Sequence, residues 1–250
     1  TFHKSYVESV WWALVELHRK GLLYQGHKVV WWWPQGGTAL SSGEVGGSYR
    51  TVDDPSAYVA LPLADDPKRH LAVWTTTPWT LPSNGYAAVK PDLEYVEVKW
   101  QDDRTLIMAA ALVETIAKKL KVDSLEEVAR FAGSDLVGQR YRPCFDVFSA
   151  ELFDTTAALK DGGETPIYWR VIAADFVTLD TGTGIVHIAP AFGEDDNNAH
   201  KAELTRYADP DAVPLICAVN PDGHLNAGAF AGKYVKDADP LIVTDLEARG

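Results

Sequence analysis

The sequence predicts an α+β chain that is mainly β: a closed or nearly closed β-barrel with peripheral helices, joined to a short helical and extended stem. Three observations predict it. Short runs rich in β-branched and aromatic residues recur from Tyr58 onward, most of them bounded by Pro, Gly or Asp. Helical periodicity is confined to a few brief stretches. Many strands with few helices, in 250 residues that are 46% hydrophobic, favour a sheet curled around its own core with helices outside it.

The elements follow in chain order. Val7, Val10, Trp11, Leu14 and Leu17 recur at helical spacing, so an amphipathic helix is expected from about Ser5 to Lys20, ended by Gly21. Val29-Val30-Trp31-Trp32-Trp33-Pro34 and a Gly-rich stretch through Gly47 read as a connector. The tryptophans could stack on bases, but consecutive residues face different ways, which favours buried packing. Strands are expected at Tyr58–Leu63, Leu71–Thr77, Tyr95–Trp100, Thr105–Ala110, Ile167–Ala173 and Ile185–Ala189. Helices are expected at Val113–Leu120, from Ser124 (with Glu127 at capping-box spacing), near Asp195 or Asp196, and at Pro240–Arg249. The division is a stem over 1–50, a barrel over 51–235 and a return helix over 236–250.

Composition excludes several classes. No apolar run of about 18 residues exists, so nothing is expected to span a membrane. The start, Thr1-Phe2-His3-Lys4-Ser5, lacks both a secretory pattern and Met, so a piece of a longer chain is expected. Cys144 and Cys217 fit neither a disulfide scaffold nor a zinc spacing, and a cytoplasmic setting is expected. With 23 Lys+Arg against 35 Asp+Glu, the formal charge of −12 argues against strong stand-alone binding to a nucleic-acid backbone. Gly-x-Ser-x-Gly, His-Glu-x-x-His, Cys-x-x-Cys and Walker patterns are all missing.

Two segments remain. In Val73-Trp74-Thr75-Thr76-Thr77-Pro78-Trp79-Thr80-Leu81-Pro82-Ser83-Asn84, Pro78 ends a strand. Alternation puts Thr75 and Thr77 on one face and Thr76 on the other. Hydroxyls that both donate and accept can orient a water and a sugar; they can equally cap the turn that follows. The second segment runs from Asp180 to Asp196. Gly182 and Gly184 open it like a dinucleotide fingerprint, but His187 stands at the third glycine and a strand follows, so that reading is rejected. Taken alone, His187 reads as a structural histidine and Asp195 and Asp196 as helix-start carboxylates.

Together the two segments resemble the editing domain of isoleucyl-tRNA synthetases. Trp74–Asn84 resembles its threonine-rich motif, and Gly182–Pro190 with Gly193 and Asp196 resembles its second motif, in the same order. Leucine and valine relatives carry Arg where Thr77 stands, which favours the isoleucine branch. Glu8–Trp12, Lys20–Tyr24 and Leu40–Val45 are similar to the family's stem. Where many relatives have Cys-Pro-x-Cys-Gly-Thr, this chain reads Trp33-Pro34-Gln35-Gly36-Gly37-Thr38, so no zinc is expected.

The resemblance implies hydrolysis of valine misattached to isoleucine tRNA, without metal or cofactor. Isoleucine and valine differ by one methylene, worth only ~1–3 kcal/mol to a pocket, a magnitude known from isoleucyl-tRNA synthetase itself. A second sieve completes the discrimination. By resemblance, Asp196 binds the α-ammonium group, while Thr75, Thr76, Thr77 and Thr80 surround the ester. His187 and Trp79 wall the side-chain pocket, with His187 as a base ranked below that role. Asn84, Pro78, Phe192 and Gly193 complete the substrate-binding set. The implied partners are the 3′ end of isoleucine tRNA carrying valine, valine or valyl-adenylate, and the rest of the synthetase chain, which alone would use ATP. The His-x-Gly-His and Lys-Met-Ser-Lys-Ser motifs of the synthetic site are absent. The alternative is a non-catalytic tRNA-docking module with an editing-like barrel.

Overall fold

In the computed structural model, residues 1–47 and 49–250 are described. The first helix, α1 (Lys4–Arg19), runs as expected, with Gly21 just beyond it at φ +68°, a left-handed conformation glycine adopts without strain. None of its residues is buried, and its apolar side chains face outward, Trp11 and Trp12 at 64% and 67% exposure. Strands β1 (Trp31–Trp33) and β2 (Thr38–Leu40) form an antiparallel hairpin, followed by α2 (Ser42–Gly46), which Ser41 and Glu44 cap reciprocally. Burial of the three tryptophans is not what the structure has: Trp31, Trp32 and Trp33 are all about half exposed. A two-stranded hairpin has no second layer to cover them. One bond ties it to the body, Trp32 Nε1–H donating to the Pro221 carbonyl at 2.6 Å.

The main sheet holds β3 (Ala57–Pro62), β4 (Arg69–Thr75), β5 (Tyr86–Val89), β6 (Glu94–Lys99), β7 (Thr105–Ala109) and β8 (Glu127–Ala132). A small hairpin, β9 (Thr156–Ala158) and β10 (Glu164–Pro166), stands apart. Strands β11 (Arg170–Ala173) and β12 (Val186–Ile188) complete the eight-stranded sheet, ordered β11-β5-β12-β4-β7-β6-β8 with β3 also paired to β4. The path begins and ends on different strands, so the expected barrel is a curled, incompletely closed one.

One irregularity positions the cleft. Along one edge of β4, β7 pairs with Arg69–Leu71 and β12 takes over at Trp74. The other edge of β4 is covered by β3 over its whole length. Two strands sharing one edge must diverge, and the space between them opens where β4 ends. Across that seam run the Ala109 N–H to Thr183 carbonyl bond at 2.9 Å and the Tyr95 hydroxyl to Gly184 carbonyl bond at 2.8 Å.

The remaining helices are α3 (Val113–Leu120), α4 (Gly133–Leu136), α5 (Ser149–Leu152), α6 (Glu194–Leu204) and α7 (Val235–Arg249). Two expectations need correction, and one strand of the main sheet was not expected at all. The helix expected from Ser124 is strand β8, because the free edge of β6 captures it from Glu94↔Ala132 to Val98↔Glu127. Strand β5 lacks a polar/apolar alternation because all four of its residues are buried, which hid it. Helix α7 begins five residues before Pro240, which sits inside it. The core is aromatic, with Trp169, Tyr86, Tyr95, Tyr141, Tyr168 and Tyr207 fully buried.

Candidate active site

A cavity of about 370 Å³ occupies the seam. Strand β4, the two residues after it and the 3-10 turn that follows (Pro78–Ser83) supply Trp74, Thr75, Thr76, Thr77, Trp79 and Thr80; Gly182–Val186 and His187 face them, and Phe192, Gly193 and Asp196 close the end at α6. The two sequence segments, a hundred residues apart, thus meet in one cleft.

The threonines divide as alternation requires: Thr75 is buried, Thr76 exposed and Thr77 between. Thr75 Oγ1 accepts the Thr77 N–H at 3.1 Å and lies 3.3 Å from Thr77 Oγ1, so it closes the strand end as an acceptor. Thr80 Oγ1 donates to the Thr77 carbonyl at 2.8 Å. Pro78 is buried beneath the turn and does not line the cavity.

His187 is 7% exposed and held at both ring nitrogens: Nε2 lies 2.9 Å from Thr80 Oγ1 and Nδ1 lies 2.7 Å from Asn84 Nδ2. Burial disfavours its charged form and lowers its pKa to about 4, so the ring is neutral near pH 7. Asn84 sits behind it, 2% exposed, outside the lining of the cavity, so its contacts go to His187 and the core rather than to cleft space.

Asp196 is the only lining residue with a formal charge. One carboxylate oxygen accepts the Ala189 N–H at 2.7 Å. Burial raises its pKa, the Ala189 bond opposes this, and the neighbouring Asp195 charge adds to it. Gly193, the N-cap of α6, is required for space, since a Cβ there would collide with the other Asp196 oxygen. Trp79 packs edge-on against Phe192 with centroids 4.8 Å apart, and its backbone N–H donates to Asp239 Oδ1 on α7 at 2.8 Å. Among the described residues, no group of three or more His, Cys, Asp or Glu is arranged to hold a metal ion.

Sequence reasoning did not single out Trp74, Phe176, Thr178 or Thr183, which also line the cavity. Thr183 and Trp74 lie inside the two quoted segments; Phe176 and Thr178 come from a loop with no recognisable pattern.

The family model described as tRNA synthetases class I (I, L, M and V) matches residues 1–211. The chain belongs to that family. Within it, the cytoplasmic isoleucine–tRNA ligase of Saccharomyces cerevisiae is 41% identical over 253 residues, and the isoleucine–tRNA ligase of Clostridium tetani 38% identical over 253 residues. Each alignment covers this whole chain and 22% of the relative, so the chain spans about a fifth of their length. In fold it is similar to the crystal structure of GlLeuRS-CP1, with a TM-score of 0.60 at 16% identity over 78% of this chain and 96% of that one. The P. knowlesi cytosolic leucyl-tRNA synthetase editing domain gives 0.54 at 9% identity over 80% and 96%. This class I synthetase segment thus has the fold of leucyl-tRNA synthetase editing domains.

Proposed function

We propose that this segment hydrolyses the ester joining valine to isoleucine tRNA. The observation that carries the reading is a cleft whose one formal charge is a carboxylate, set among threonine hydroxyls and a neutral imidazole. A cleft so built suits a small cation carrying an apolar group and an ester, which describes an aminoacyl end. Asp196 pairs with the α-ammonium group, and the cation stabilises the ionised form that burial disfavours. Thr75, Thr76, Thr77 and Thr80 orient the attacking water and the ribose hydroxyls. Water adds to the ester carbonyl and the acyl–oxygen bond breaks. Valine leaves as its carboxylate; one proton of the water ends on the leaving ribose oxygen and the other on solvent. Positioning and polarisation supply the catalysis, because a neutral His187 with both nitrogens engaged is a poor base.

The domain reading accompanies it: residues 1–50 and 236–250 are stems joining the barrel of 51–235 to the rest of a synthetase, which supplies the main grip on tRNA. The setting is the cytoplasm, as the name of the Saccharomyces cerevisiae relative has it for that protein.

The test is release of valine and of isoleucine from isoleucine tRNA incubated with a high concentration of the chain. The expected outcome is valine released and isoleucine spared, with a loss of ~10- to 10²-fold in Asp196→Ala, the scale of one charge-assisted contact. Release of neither, in the chain and in the parent synthetase alike, would favour a docking module.

A further inference from the structure

Asn84 raises a question of direction. Its side-chain amide touches the Tyr86 carbonyl at 3.0 Å, His187 Nδ1 at 2.7 Å and the Tyr141 hydroxyl at 2.7 Å. A backbone carbonyl only accepts, so the amide atom facing Tyr86 is the nitrogen. The same nitrogen faces His187 Nδ1 and, at 3.5 Å, the Ile188 carbonyl, so Nδ1 meets a donor. The amide oxygen then faces Tyr141, whose hydroxyl donates to it. His187 Nδ1 is therefore the bare nitrogen, and Nε2 carries the hydrogen. That hydrogen goes to Thr80 Oγ1, whose own hydrogen goes to the Thr77 carbonyl. Every proton in the chain from Tyr141 to Thr77 runs the same way.

Tyr141 is 0% exposed, belongs to no strand of the main sheet, and lies 57 residues from Asn84. It is far from either motif in sequence and does not line the cavity. Reversing the amide would point its oxygen at the Tyr86 carbonyl and leave two acceptors opposed.

We propose that Tyr141 is a positioning residue: it anchors the oxygen of the Asn84 amide, whose nitrogen the Tyr86 carbonyl holds, and so keeps His187, as the Nε2–H tautomer, at a fixed angle as the wall of the cleft. The consequence for selection between amino acids rests on the function proposed above. The tautomer itself does not. With Nδ1 and Nε2 both engaged, the ring presents its carbon edge and face to the cavity, a surface that suits an aliphatic side chain and offers no site for a proton.

The experiment is nitrogen-15 spectroscopy of the 250-residue chain, with His187 assigned by comparison with His187→Ala, paired with ester release. The wild type should show a bare Nδ1 and a protonated Nε2 for this ring. A protonated Nδ1 there would overturn the proposal without any variant. In Tyr141→Phe, which removes one oxygen and keeps the ring, the tautomer should persist because the Tyr86 carbonyl still holds the amide nitrogen, while the two nitrogen signals of His187 shift and broaden as the ring loosens. The preference for the valyl over the isoleucyl ester should fall roughly tenfold, the size of one net hydrogen bond, through KM rather than kcat. Signals unchanged in Tyr141→Phe would overturn the positioning role. Shifted and broadened signals with an unchanged preference would overturn its bearing on selection. A chain that hydrolyses neither ester yet shows the shifted signals in Tyr141→Phe would count against the proposed function alone.

Discussion

At the scale of single residues, the cleft is governed by which groups can hold a charge. Desolvation penalises Asp196 for being ionised, whereas His187 avoids that penalty by staying neutral. The two therefore do different work beside the same space, His187 buried and Asp196 partly exposed. Truncating His187 should leave the reaction in place and enlarge the space for the substrate side chain. His187→Ala is expected to admit isoleucine and narrow the valine preference by ~10-fold or more, since one methylene is worth ~1–3 kcal/mol. Comparing release of the two amino acids by wild type and variant checks it; an unchanged ratio would remove His187 from the wall. Most of the lining was legible in the sequence because two short motifs carry it. Asn84 was legible as a residue but not as a role: a side chain that faces inward to orient another looks, in sequence, like one that faces the substrate.

At the scale of elements, the turn after β4 depends on a helix more than 150 residues away. Asp239 of α7 is 1% exposed and accepts the Trp79 N–H, while its second oxygen is buried with only Lys236 nearby, at 3.9 Å. Its pKa is raised, chiefly by burial and against the Trp79 bond and the Lys236 charge. Asp239→Ala leaves the Trp79 N–H without its partner and should cost ~1–3 kcal/mol of unfolding free energy, with Asp239→Asn retaining most of it. Denaturant unfolding of the three proteins measures this, and equal midpoints for wild type and Ala would refute the link. Nothing around Asp239 in the sequence announces it, because its partner is a backbone group. The strands β3, β4, β6 and β7 and helix α3 were legible, since their apolar spacing and bounding turns agree with their environment. Strand β8 was not, for a reason that lies outside it: Ser124 and Glu127 satisfy a local capping pattern, and the edge of β6 overrides it.

At the scale of the whole molecule, acid should unfold the chain by a route that can be assigned. His187 and His200 are both buried and both held to a pKa of about 4, burial being the main cause in each, with Glu203 and Lys201 making opposed smaller contributions at His200. Between pH 6.5 and about 4 the unfolded chain takes up protons at these rings and the folded chain does not, so stability falls as pH falls through that window. Asp196 works the other way, since its raised pKa favours the folded state as it protonates, and it offsets part of the loss. For the two histidines together the decline should reach a few kcal/mol, because each tenfold difference in proton affinity between folded and unfolded chain is worth about 1.4 kcal/mol. Urea unfolding at pH 7 and at pH 4.5 checks the sign, and a double substitution of His187 and His200 by Gln should flatten the slope. The overall charge of −12 concerns a different property, the repulsion that any polyanion would meet.

The seam in the sheet has a consequence for time as well as shape. Between β7 and β12 the cleft is bridged by two hydrogen bonds, from Ala109 to Thr183 and from Tyr95 to Gly184, and not by a ladder. Each is worth ~1 kcal/mol net, so with these two alone as restraints a parted form would be present at a few per cent, on the order of 3%, at room temperature. Packing of Gly184 against the Ala109 methyl and the pairing of β12 with β4 and β5 hold the seam beyond that figure, so the two bonds set only its loosest limit.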